Sequence, residues 1–87
     1  MDLTELRKEI DSVDEELIPL LVRRMKLSEQ VAEYKLGNGI PVMNGERERE
    51  ILAKVAERSG DTGDAVKAVY AAILEASRAL QQTLIGG

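Results

Sequence analysis

LTELRKEIDSVDEELIPLLVRRMKLSEQVAEYKL, residues 3–36, sets apolar side chains at Leu3, Leu6, Ile10, Val13, Leu17, Leu20, Leu27 and Val31. Steps of three, four and seven share one face only in a helix, and the register holds for about ten turns. Pro19 falls inside this run, where a proline removes one hydrogen bond and costs roughly 3 kcal/mol. Its neighbours Leu17, Ile18, Leu20 and Leu21 include no residue suited to a reversal. The apolar register continues in phase across it, so the reading is one kinked helix rather than two. At 1.5 Å per residue this helix is about 50 Å long, whereas a compact monomer of this size has a diameter near 30 Å. The far end of the helix therefore needs cover from another chain, and an intertwined homodimer is the simplest closed solution.

Outward from this stretch, Gly37, Asn38, Gly39 and Pro41 stop the first helix. Asn44 is placed to cap a second, short helix through Ile51, Leu52 and Val55 to Ser59, with Gly60 as its stop. Asp61, followed three residues later by Asp64, is the expected N-cap of a third helix of medium length. Its apolar face is Val66, Val69, Tyr70, Ile73, Leu74, Leu80 and Leu84. No stretch alternates with period two, so the class is all-α, with three helices in a single domain spanning residues 1–87.

Composition narrows the chemistry. The 87 residues contain no Cys and no His, which removes the thiol nucleophile, the imidazole base and the usual zinc sites. No metal and no cofactor is expected. A net charge of -4 argues against a nucleic-acid or anionic-membrane partner, which needs a basic face. The longest apolar run is the six residues Leu17 to Val22, and charge begins at Asp2. Neither a membrane span nor a signal peptide is expected, and a cytoplasmic location is the default.

The informative residues break the apolar pattern. In the first helix the stripe passes through Arg24, Ser28 and Lys35, and 11 residues at about 100° each bring Lys35 back to within some 20° of Arg24. In the second, Glu48 sits one turn before Ile51 and Leu52, with Arg47 at its edge. In the third, Ser77 and Gln81 stand four apart among Ile73, Leu80 and Leu84. Each has an ordinary explanation alone: a snorkelling cation, a helix-dipole complement, a satisfied core polar group. Their joint occurrence on all three helices is the inventory of a site that binds a small polyanion and aims donors at it. Such a site can catalyse a reaction whose bond changes lie within the substrate, where positioning and electrostatic stabilisation suffice.

These residues resemble the all-helical (AroQ-type) chorismate mutases. The resemblance runs from Leu3 to Gln82 through Leu6-Arg7 with Ile10 and Asp14, Leu20-Leu21-x-x-Arg24, Val31-Ala32 leading to Lys35, Pro41-Val42 followed by Arg47-Glu48, and Ser77 with Gln81. It implies a domain-swapped homodimer of three helices per chain, acting without a cofactor on dianionic chorismate. It further implies that Arg24 and Arg7 hold the two substrate carboxylates, with Arg7 given by the other protomer. Lys35 and Gln81 would donate to the ether oxygen, Ser77 would assist a carboxylate, Glu48 would accept from the ring hydroxyl, and Arg47 would support Glu48 or the hydroxyl. Where the family carries Asp this chain has Asn44, which can still cap a helix and meet a hydroxyl. Isochorismate pyruvate lyases share the fold and a similar cation set, and a non-catalytic helical dimerisation module is the other alternative.

Overall fold

The computed structural model describes residues 1–86 as three helices: α1 (Leu3–Gly37), α2 (Gly45–Arg58) and α3 (Gly63–Gly86). A 3-10 turn, Gly60–Thr62, joins the last two. Among the described residues there is no strand. α1 starts where the Asp2 carboxylate accepts the Glu5 backbone N–H at 2.9 Å and runs unbroken through Pro19. Pro19 is exposed, so the carbonyl it leaves without an intrahelical partner can turn to solvent.

The end of α1 is built by three consecutive residues. The Asn38 backbone N–H reaches Tyr34 O and Lys35 O, Gly39 takes φ +65°, and the Ile40 N–H returns to Lys35 O at 2.9 Å. This is a six-to-one closure over a left-handed residue, and glycine adopts that conformation without steric penalty. The Asn38 side-chain amide adds a bond to Tyr34 O at 2.8 Å. α2 opens with Asn44 Oδ1 accepting the Arg47 N–H at 3.0 Å and closes at Ser59 and Gly60, the latter at φ +57°. The expected cap at Asp61 is not formed. Asp61 lies inside the 3-10 turn, which is held by Thr62 N–H to Ser59 O at 3.1 Å, and α3 starts two residues later at Gly63. The left-handed Gly60 reverses the chain so tightly that the turn replaces an extended capping residue.

α3 packs along the second half of α1 and is also the partner of α2. The contacts Arg24 to Tyr70 and Ser28 to Ser77 advance in the same direction along both helices, so α3 runs parallel to α1. Glu48 at the start of α2 meets Arg78 late in α3, so α2 runs back against it. The first half of α1 takes no part in this. Every residue from Met1 to Leu20 is exposed, and the molecule extends 53 Å along its long axis with a radius of gyration of 15.9 Å. A compact chain of this length would have a radius near 12 Å. Leu3, Leu6, Ile10, Val13, Leu17 and Leu20 thus form an apolar stripe in the open, larger than lone surface apolar residues account for.

Candidate active site

Five described residues are buried: Ala32, Leu74, Ser28, Ser77 and Gln81. Three of the five are polar, and they lie where the second half of α1 faces α3. A hydrophobic core would place its largest apolar side chains there. This chain instead surrounds a cleft of about 350 Å³ lined from all three helices.

α1 contributes Arg24, Ser28 and Lys35, with Leu27 and Val31 as apolar wall. The Arg24 guanidinium lies over the Tyr70 ring at 5.9 Å from its centroid, an attraction between a cation and the ring face. Four residues on, the Ser28 and Ser77 hydroxyls share a buried hydrogen bond of 2.5 Å that locks α1 to α3 in register. Lys35 is held at both ends. Its backbone carbonyl anchors the α1 terminus, and its Nζ donates to Val42 O at 2.8 Å, so the connection from α1 to α2 folds back over its side chain.

α2 contributes Asn44, Arg47, Glu48 and Ile51, because its capped first turn opens on the cleft. Glu48 and Arg47 part company there. Glu48 Oε1 accepts from Arg78 Nη1 of α3, and the two side chains are 20% and 30% exposed. Arg47 pairs instead with Glu50 on the surface at 2.8 Å, with side chains 57% and 62% exposed. The carboxylate that Arg47 was expected to support is therefore held by a residue of another helix. An exposed pair such as Arg47 with Glu50 contributes little, whereas a half-buried one fixes geometry.

α3 contributes Leu74, Ser77, Arg78 and Gln81. Gln81 is buried, yet its amide takes no hydrogen bond from the described residues, and no sealed side-chain nitrogen or oxygen among them lacks a partner. The amide consequently faces the cleft, where an incoming group can reach it.

Seven of the eight expected site residues, Arg24, Lys35, Asn44, Arg47, Glu48, Ser77 and Gln81, line this one cleft. Arg7 does not. It lies on the exposed half of α1, 17 residues or about 26 Å of helix from Arg24. Arg78, which also lines the cleft, and Tyr70, which meets Arg24 without lining it, are not among the residues the sequence singles out for the site. Arg78 follows Ser77 directly and reads as the edge of the stripe, but its spacing of four from Leu74 and three from Gln81 puts it on their face. Among the described residues four cationic side chains and one carboxylate line the cleft, although the chain as a whole carries -4. Charge has been sorted, and the cleft carries a local excess of positive side chains of the kind that suits an anion. Among the described residues no group of three or more His, Cys, Asp or Glu comes together as a metal site, and no helix is long and apolar enough to cross a membrane.

An all-helical fold with an anion-receiving cleft of this kind defines a class, and comparison with known proteins gives it a family. The chain matches chorismate mutase type II over residues 6–82 and belongs to that family. The chorismate mutase of Methanocaldococcus jannaschii is 33% identical over 84 residues, covering 92% of this chain and 84% of the relative. The bifunctional chorismate mutase/prephenate dehydratase of Aquifex aeolicus is 35% identical over 89 positions, covering 95% of this chain and 25% of the relative. The 4-amino-4-deoxychorismate mutase of Streptomyces venezuelae is 32% identical over 62 residues, covering 71% and 60%. The chain spans a quarter or less of the length of several longer relatives it matches. No solved structure gives a significant match.

Proposed function

We propose that the protein is a chorismate mutase that rearranges chorismate to prephenate as a homodimer. The observation that carries this reading is the convergence of Arg24, Lys35, Glu48, Ser77 and Gln81 on one cleft in a chain of this family. In the rearrangement the ether C–O bond breaks as a C–C bond forms within the same molecule, and negative charge grows on the ether oxygen. No proton or electron pair leaves the substrate. The protein's task is to fold the enolpyruvyl arm over the ring and meet the growing charge.

In this reading Arg24, steadied by Tyr70, takes one carboxylate with Ser77 beside it. Lys35 and Gln81 donate to the ether oxygen, Lys35 arriving as a full charge and Gln81 as a neutral amide. Glu48 and Asn44 receive the ring hydroxyl, with Arg47 at the rim of that end. The second carboxylate needs another cation, and Arg7 supplies it from a second copy of the chain. That copy also explains the open apolar stripe, since the exposed half of α1 would lie along its equivalent and bring Arg7 to the partner's cleft. Each domain-swapped pair then holds two complete sites.

The direct test gives the purified protein chorismate and isochorismate in separate reactions. Prephenate from chorismate is expected. Salicylate with pyruvate from isochorismate, and no prephenate, would assign the lyase activity instead. No turnover of either would reduce the chain to a helical dimerisation module.

A further inference from the structure

Among the described residues Glu48 is the only carboxylate lining the cleft, and the structure gives it a cation that its own helix does not provide. Arg47, one residue away, is occupied by Glu50. Arg78 reaches across from α3, lying between the buried residues Leu74 and Gln81 on the same face, and donates to Glu48 Oε1. Resting on the reading of the cleft as a chorismate site, we propose that Arg78 is a positioning residue that makes the Glu48 end select a neutral hydroxyl over an ammonium on the substrate ring.

The argument is electrostatic. A lone carboxylate at that end would attract a substrate ammonium by direct charge pairing. With Arg78 bound to it, the carboxylate is already neutralised, and a second cation would have to displace Arg78 or sit beside it. Lys35 and Arg24 line the same cleft and add to the repulsion. Asn44 contributes an amide and no charge. A hydroxyl meets none of this opposition, because Glu48 keeps lone pairs free to accept its proton. The pair is 20% and 30% exposed, enough shielding for like-charge repulsion to count, as it would not between solvated side chains. The type II family extends to a relative named for 4-amino-4-deoxychorismate, and that compound differs from chorismate at the one ring substituent in question. It is therefore the discriminating probe.

The test measures kcat/KM for chorismate and for 4-amino-4-deoxychorismate with the wild type, Arg78→Met, Arg78→Gln and Arg78→Lys. Wild type should prefer chorismate. Arg78→Met should lower chorismate turnover efficiency about tenfold and shift the chorismate-to-amine ratio toward the amine by about tenfold or more, about 1.4 kcal/mol per factor of ten. Arg78→Gln, neutral but still polar, carries the same expectation should the Met variant fail to fold. Arg78→Lys restores the charge and should keep most of the wild-type preference. General structural damage would depress both substrates together and leave the ratio alone. An unchanged ratio in a folded neutral variant overturns the role of Arg78, as does a Lys variant that loses the preference as fully as the Met variant. A wild type inactive on both compounds overturns the reading of the cleft itself.

Discussion

Gln81 is buried to 8% exposure with its amide turned to the cleft, and its environment makes a sharp distinction between glutamine and glutamate. An amide donates a hydrogen bond at any ordinary pH, but a carboxyl donates only when protonated. Burial among apolar neighbours would raise the pKa of a carboxyl introduced there. If Gln81 meets the ether oxygen, Gln81→Ala should cut kcat by roughly 10²- to 10³-fold with a smaller change in KM. Gln81→Glu should be poor at pH 8 and recover toward pH 5. Turnover measured across that range decides it: a Gln81→Glu enzyme as active at pH 8 as the wild type, with no acid-side rise, would mean that the side chain at position 81 does not touch the ether oxygen. Arg24 allows a second test of a single side chain. Its guanidinium lies over the Tyr70 ring at 5.9 Å, and lysine keeps the charge but loses bidentate carboxylate recognition. Arg24→Lys should therefore lower kcat/KM by about tenfold or more, while unchanged kinetics would make Arg24 a structural residue.

Elements carry these residues into place through their ends. Asn44 ties the first turn of α2 to the cleft through its bond to the Arg47 N–H, so one residue both starts a helix and lines the site. Asn44→Ala should destabilise the fold by about 1 kcal/mol, the usual cost of a lost N-cap. Asn44→Asp keeps the acceptor and adds a charge suited to a helix N-terminus, and should hold or raise the melting temperature. Thermal denaturation of the three proteins checks the order. The same element ends show how far local sequence reaches. The Asn38 and Gly39 stop and the Asn44 cap were legible because their side chains and φ requirements act within a few residues. Asp61 departs from the local expectation for the same reason: an Asp before a helix fits an N-cap locally, but the reversal at Gly60 leaves a 3-10 turn where the cap would stand.

At the scale of the whole molecule the open half of α1 dominates. Leu3, Ile10 and Val13 are about 60% exposed, and burying such half-open apolar side chains is worth on the order of 1 kcal/mol each. The stripe as a whole is consistent with a stable pairing of long helices. If the second copy supplies Arg7, then Arg7→Ala and Lys35→Ala homodimers should each be nearly inactive. Refolded together they should regain activity, because a mixed dimer contains one site with both residues intact. Recovery no greater than the sum of the parents, in a sample shown to contain the heterodimer, would remove Arg7 from the partner's site.

The all-helical class, the three helices and most of the polar lining of the cleft were determined by the sequence itself, because a helix converts spacing directly into direction. Arg24, Ser28 and Lys35 share a face whatever packs against them, and so do Ser77 and Gln81. Which faces meet is a different matter. The Ser28 to Ser77 bond sets the register of α1 on α3, the Lys35 bond to Val42 folds the loop over the site, and the tertiary fold hands Glu48 to Arg78 while leaving Arg47 to Glu50. Those pairings span up to 49 residues. Periodicity within one helix carries no information about the angle and register at which another helix arrives, so only packing could decide them.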